Sequence, residues 1–182
     1  MSKNIYFLTG FMAAGKSTIA PILANTLGWQ YFDLDREIEK KAGRKIVELF
    51  REKGEKYFRH LETETLVEIS KSNNLIISLG GGTLLNSENV DFIKSTGKLI
   101  YLKSSVASIF RRLKNKRDRP ALFIDGEFPE EDLLYQKIEQ MMNDRKSIYE
   151  KSDITIDTDK TSVGKSVDIL AKIITKNVTV AK

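Results

Sequence analysis

Cysteine is absent from this chain. That removes disulfides and thiolate metal sites together, and it suits a reducing compartment, so a cytoplasmic location is expected. Long apolar runs are missing as well: none approaches the ~20 residues of a membrane helix. Met1–Leu8 carries one lysine and a short apolar stretch, then meets a glycine-rich turn and Lys16. It lacks the apolar core of a signal peptide, and no membrane partner is expected. Proline occurs only three times in 182 residues. With no linker, internal repeat or low-complexity tract, a single domain over 1–182 is expected, working as a monomer. The one histidine, His60, stands alone beside an arginine and reads as a structural residue rather than a general base.

The chain does carry a balanced composition, 41% hydrophobic and 30% charged with a net charge of +5, that of a folded globular protein. Much of the positive charge gathers in Arg111–Arg119. That run has no interleaved aromatics on which bases would stack. It serves to attract phosphates and an anionic substrate, and no nucleic-acid partner is expected.

Short apolar runs alternate with longer amphipathic ones. Asn4–Thr9, Gln30–Asp33, Leu75–Ser78, Lys98–Leu102 and Ile154–Asp157 read as strands. Helical patterns cover Lys16–Leu27, Asp35–Ala42, Tyr57–Ser72, Ala107–Leu113, Glu130–Tyr149 and Ser162–Thr175. On the first of these, Ile19, Ile22, Leu23 and Leu27 share a face. The alternation predicts an α/β fold with a five-stranded parallel sheet, its strands apolar on both faces. Ligands collect at the carboxyl ends of such strands. Gly10, Asp33 and Gly80 each stand at one of those ends.

Gly10-Phe-Met-Ala13-Ala14-Gly15-Lys16-Ser17 fits G-x-x-x-x-G-K-[ST] between a strand and a helix, the context that marks a phosphate-binding P-loop. Its backbone N–H groups curl around phosphate oxygens at the positive end of the following helix. Lys16 reaches the β- and γ-phosphates of ATP, Ser17 places its hydroxyl on Mg²⁺, and Thr18 donates to the α-phosphate. The motif specifies a nucleotide, not a reaction.

Phe32-Asp33-Leu34-Asp35 sets two carboxylates two residues apart, on one side of an extended strand. If this strand neighbours the P-loop strand, both acids approach the γ-phosphate. Asp33 then holds a water of the Mg²⁺ shell, and Asp35 accepts the proton of an acceptor hydroxyl. The competing reading is an aspartate capping the helix that follows, which does not exclude catalysis.

A P-loop followed by F-D-x-D resembles the shikimate kinase family, and further stretches match it in order. Gly54-Glu55-Lys56-Tyr57-Phe58-Arg59-His60-Leu61-Glu62 resembles its G-E-x-x-F-R-x-x-E, and Ser78-Leu79-Gly80-Gly81-Gly82 its S-L-G-G-G. Arg117–Leu122 is similar to its R-P-L lid, and Arg145-Lys146-Ser147-Ile148-Tyr149 to its R-x-x-x-Y. The likeness runs from about residue 4 to residue 175. It implies a three-layer P-loop NTPase fold of the nucleoside monophosphate kinase-like type, with a mobile lid at about 113–130. It also implies transfer of the ATP γ-phosphoryl group to the 3-hydroxyl of shikimate. Arg59 and Arg145 would grip the acceptor carboxylate, where a guanidinium fork fits better than an ammonium, and Glu62 would orient Arg59. Gly80, Gly81 and Gly82 would let the backbone approach the acceptor. Arg119 would close over the transferring phosphate, and Arg112, or its neighbour Arg111, would stack on adenine.

The chain departs from the family and from other P-loop proteins at three places. No Walker-B acid ends the strand before the triple glycine, so Asp33 must carry that acid's load at the metal. Ala13 stands where glycine is common, at little expected cost. Lys160 is the only basic residue offered to adenine by the segment 158–161, and that contact is left open. Other readings give a kinase for another small hydroxylated acid, such as gluconate, or a catalytically silent ATP-binding module. Trp29, Tyr31 and Phe32 are expected to pack around the second strand, 37–41 to form a solvated helix face with i,i+4 pairing, and 177–182 to fray.

Overall fold

The computed structural model describes residues 4–117 and 119–180. Asp118 of the lid motif and the last two residues of the tail expected to fray lie outside them. The sheet is parallel and five-stranded, with β1 (Ile5–Thr9), β2 (Gln30–Asp33), β3 (Leu75–Ser78), β4 (Lys98–Lys103) and β5 (Ile154–Asp157) in the order β2-β3-β1-β4-β5. The helices are α1 (Lys16–Leu27), α2 (Leu34–Ala42), α3 (Ile46–Ile69), α4 (Ser87–Thr96), α5 (Val106–Leu113), α6 (Glu131–Tyr149) and α7 (Val163–Val180). Three-residue 3₁₀ turns at Thr83–Leu85 and Pro120–Leu122 complete the order.

The P-loop strand β1 and the aspartate strand β2 are not neighbours, as the sequence had suggested; β3 lies between them. The crossover helix explains this. A helix about 10 Å across covers two strand spacings of ~4.8 Å, so α1 leaves a slot one strand wide. The chain returns through α2 and α3 and fills that slot with β3. Register keeps the three exits level, since Asp33 pairs with Ser78 and Ser78 pairs with Leu8. The loops after β1, β2 and β3 therefore leave at one rim.

Alternation along the strands sends side chains into two cores. Tyr6, Leu8, Ile76, Ile100 and Leu102 meet α1, α5, α6 and α7 through residues such as Leu23, Ile109, Ile138 and Leu170. Ile5, Phe7, Leu75, Ile77 and Leu99 meet α2, α3 and α4 through Ile38, Phe58, Leu66 and Ile93. Only the three central strands are buried on both faces. The outer strands β2 and β5 are partly exposed, because each has one neighbour. Trp29 and Tyr31 pack on the first core and Phe32 on the second.

Several boundaries differ from the sequence reading. α3 begins at Ile46, eleven residues before Tyr57, and turns an elbow at Gly54, whose φ of 80° and ψ of 170° are not helical. A side chain is strained at that positive φ, so the glycine breaks the pattern and the helix resumes beyond it. α4 had no counterpart in the reading; Asn86 caps it by accepting from the Glu88 N–H at 3.0 Å. Ile22, assigned to the inner face of α1, is 43% exposed, while Ala20 and Ala24 are buried. α7 continues to Val180, and the Asn177 amide donates to the Tyr6 hydroxyl at 3.4 Å, so most of the tail is helical rather than frayed. On α2, Lys41 pairs across to Glu64 and Glu68 of α3, and Lys40 pairs with Glu37 at i,i+3. The face is stitched to its neighbour helix instead of forming the i,i+4 pairs expected.

Candidate active site

At the rim where the three loops leave the sheet lies a cavity of about 550 Å³. Ala13, Gly15, Lys16 and Ser17 of the P-loop line it together with Asp33, Asp35, Arg59, Gly81, Gly82, Arg119 and Arg145. An adjoining cavity of about 300 Å³ shares Ala13 and Gly15 and is lined also by Ala14, Thr18, Arg112, Thr158 and Thr161. Of the residues singled out in the sequence, Gly80, Glu62, Arg111 and Lys160 line neither. A third cavity, about 480 Å³ between Asn4, Lys94, Lys98 and Asp153, opens at the opposite ends of the strands and holds none of them.

The P-loop points its lysine inward. The Lys16 Nζ donates to the Gly10 carbonyl at 2.6 Å and to the Phe11 carbonyl at 3.1 Å. Burial lowers its pKa to about 8, with Asp35 and Asp33 opposing the fall and Arg145 and Arg119 adding to it. Ala13 has a φ of 61°. In that left-handed region a Cβ crowds the following carbonyl, at a cost of about 1 kcal/mol. The alanine is therefore not the near-neutral change it looked in the sequence.

The two aspartates divide their tasks. The strand ends at Asp33, so the pair does not share an extended segment: Asp33 is the N-cap of α2, and Asp35 sits in its first turn. Asp33 Oδ1 accepts from the Arg36 N–H at 3.2 Å, and its Oδ2 accepts from the Tyr31 hydroxyl at 3.4 Å. The capping aspartate is thus Asp33 rather than Asp35. Burial raises the Asp35 carboxyl to about 6, helped by the charges of Asp33 and Glu62 and opposed by Lys16. A Cβ on Gly80 would stand 2.5 Å from Asp35 Oδ1. Gly80 therefore backs the carboxylate and does not face the cavity.

Two arginines that line the same cavity lie against the triple glycine. Arg59 Nη1 donates to Glu62 Oε2 at 2.9 Å, and Nη2 donates to Glu55 Oε1 at 3.1 Å. Glu62 is 1% exposed, so its charge is committed to that pair and to the Thr83 hydroxyl, which donates to Oε1 at 2.7 Å. A Cβ on Gly82 would lie 2.8 Å from Arg59 Nη2, and one on Gly81 would lie 3.4 Å from Arg145 Nη1. Arg145 also lies over the Phe11 ring, 5.6 Å from its centroid. The glycines admit two guanidinium groups against bare backbone. His60 is exposed on the far side of α3 and pairs with Glu64 at 3.3 Å when protonated.

In the smaller cavity Arg112 is held by three oxygens. Its Nη1 donates to the Ala13 carbonyl at 2.9 Å and to Ser104 Oγ at 3.3 Å, and Nη2 lies 3.7 Å from Asp159. Arg111 lines neither cavity. Lys160 turns instead to Asp157 at 3.4 Å. The segment 113–130, expected to be a mobile lid, is anchored more than its composition suggested. Leu122 is fully buried, Lys137 Nζ donates to the Phe123 carbonyl at 2.6 Å, and Arg117 lies 3.9 Å over the Phe128 ring.

Among the described residues no group of three or more His, Cys, Asp or Glu is placed to hold a metal ion. A Mg²⁺ ion takes few protein ligands, several waters and the nucleotide phosphates, so a hydroxyl and one carboxylate fit it. Ser17 and Asp33 are such oxygens on one cavity wall. The sequence reading missed Arg36 on that wall and Thr83 and Asn89 behind it. Arg36 directly follows Asp35 in the chain, its one sequence signal. Thr83 and Asn89 carried none, because their buried bonds join segments distant in sequence.

Comparison with known proteins agrees with this geometry. The family model described as shikimate kinase matches residues 12–177. The shikimate kinase of Chloroherpeton thalassium is 42% identical over 176 residues, covering 96% of this chain and 94% of that one. The crystal structure of shikimate kinase from Bacteroides thetaiotaomicron superposes with a TM-score of 0.85 at 34% identity, covering 95% of this chain and 99% of that one. Shikimate kinase from Acinetobacter baumannii, solved in complex with shikimate, gives 0.83 at 30% identity, covering 97% and 95%.

Proposed function

This chain belongs to the shikimate kinase family, and on that premise we propose that its larger cavity transfers the γ-phosphoryl group of ATP to the 3-hydroxyl of shikimate. The oxygen of that hydroxyl forms the new P–O bond, the bond between the γ-phosphorus and the β,γ-bridging oxygen breaks, and ADP leaves. Asp35 takes the hydroxyl proton, its carboxyl poised by burial at about 6 so that it is ionised yet basic at neutral pH. Lys16 neutralises the β- and γ-phosphates, and Arg119 stabilises charge on the equatorial oxygens of the transferring group. Arg59 and Arg145 grip the shikimate carboxylate against Gly81 and Gly82. Arg112 stacks on adenine in the smaller cavity, beside Ala14 and Thr18. Ser17 and Asp33 would hold Mg²⁺, Asp33 through a water, and the ion would supply positive charge to the nucleotide phosphates.

One observation carries the reading: Arg59 and Arg145 line the same cavity as Lys16 and Asp35. An acid with a ring hydroxyl held by that pair presents its oxygen between the aspartate and the phosphate loop. The lack of cysteine supports the cytoplasm. No helix among the described residues is long and apolar enough to cross a membrane.

ADP release in the presence of shikimate, gluconate or no acceptor tests the proposal. Stimulation by shikimate alone is expected. Stimulation by gluconate alone would replace the acceptor. Silence with all three, while ATP still binds, would leave only a nucleotide-binding module.

A further inference from the structure

Behind the wall that carries Arg59 runs a set of buried polar side chains with no part in the reaction described above. Thr83 and Asn89 are both 0% exposed. Burying such groups is costly unless they are hydrogen-bonded, and here each bond leads towards the same arginine. Glu62 spends Oε2 on Arg59 and accepts the Thr83 hydroxyl on Oε1. Asn89, from α4, donates through Nδ2 to the Thr83 carbonyl at 3.1 Å. Its Oδ1 accepts from the Thr63 hydroxyl at 2.8 Å, and that hydroxyl also lies 3.1 Å from the Arg59 carbonyl one turn earlier on α3. The residue before Thr83 is Gly82, the glycine against which the Arg59 guanidinium packs.

We propose that Thr83 is a positioning residue for acceptor binding: its hydroxyl fixes Glu62, which holds the Arg59 guanidinium in the orientation that meets the shikimate carboxylate. This rests on the reading of Arg59 as a carboxylate ligand. Two geometric facts favour it over a purely structural role. Thr83 satisfies the one Glu62 oxygen that the arginine leaves unused, so without it a buried carboxylate is free to rotate and draw the guanidinium with it. Thr83 also continues the triple-glycine loop, so it sets the arginine and the backbone beneath it relative to one another.

Steady-state kinetics of Thr83→Val, Thr83→Ser and Arg59→Lys, with the Thr83→Val/Arg59→Lys double variant, test this. Valine keeps the shape and deletes the bond to a charged group, so the KM for shikimate rises about tenfold. The KM for ATP stays within about twofold, because the phosphate loop is untouched. Serine keeps the hydroxyl and restores the shikimate KM. In the Arg59→Lys background, Thr83→Val adds less than about twofold, since the two act through one contact. An unmoved shikimate KM in Thr83→Val, an ATP KM rising in step with it, or full additivity in the double variant would overturn the proposal. If Arg59→Lys raises the shikimate KM while Thr83→Val does not, Thr83 fails and the arginine reading stands. If Arg59→Lys itself leaves that KM unchanged, the arginine reading fails, and this route fails with it. Should Thr83→Val yield no folded protein, Thr83→Ala lacks the same hydroxyl without a second methyl group and is expected to show the same split.

Discussion

Replacing Asp35 by asparagine should stabilise this protein while disabling it. The carboxyl is raised from its ordinary 3.8 to about 6, chiefly by burial. A group that titrates higher when folded favours the folded state while protonated, and that contribution is lost as pH rises through the folded value. From about pH 4 to above pH 6 the wild type therefore gives up about 2–3 kcal/mol, a figure that already contains the relief offered by Lys16. Asparagine has the same shape and never ionises. At pH 7 the variant should unfold in urea with about 2–3 kcal/mol more free energy and melt roughly 5–10 °C higher. Below pH 4 the two proteins should converge, since both then carry a neutral side chain. Turnover should fall about a hundredfold or more, the usual loss when a positioned proton acceptor is removed. A variant no more stable than wild type at pH 7, or one whose advantage persisted at pH 4, would show that this carboxylate is not held ionised at a cost. The reasoning from burial would then fail even if the activity were lost.

The same site yields other expectations. In Gly80→Ala the new Cβ would sit 2.5 Å from Asp35 Oδ1, so the carboxylate must move by about 1 Å. Turnover should drop about a hundredfold while ATP binding, followed calorimetrically, survives; a turnover within threefold of wild type would refute this. The pH profile of kcat/KM for shikimate should show an acid limb near 6, activity falling as pH drops because protonated Asp35 accepts nothing; a limb near 4 would detach the aspartate from the proton transfer. Ala13→Gly should gain up to about 0.5 kcal/mol in urea unfolding, because relief of the left-handed strain slightly exceeds the added freedom of the unfolded chain. A loss of stability would mean that the loop carries no strain at this alanine.

How much of this was legible in the sequence depended on the range of each interaction. The P-loop was readable because its strand, turn and helix are contiguous and Lys16 folds back on carbonyls five and six residues away. The order of the strands was not, because the width of α1 and the return of the chain through α3 decide which strand lies beside β1. Asp33 and Asp35 were both visible as acids, yet the cap went to the one at which the backbone leaves the strand, and only the fold sets that point. α4 escaped notice because its buried face includes Asn89 where periodicity looks for an apolar residue. The first half of α3 was lost at Gly54, where the helical pattern breaks for one residue and resumes. Arg59 and Arg145 were named through family resemblance, since nothing local distinguishes them from surface arginines. Their meeting across bare glycine backbone is a property of the tertiary structure.

α6 resembles an axle seated in two bearings. Leu134 and Ile138 sit in one core, beside Leu122, and Tyr149 is stacked on Tyr101 in the other. Arg145 projects from the shaft between them. One residue inserted between Ile138 and Arg145 would twist everything beyond it by about 100° and swing the guanidinium away from the rim. The length of this span is thus fixed by geometry at both ends.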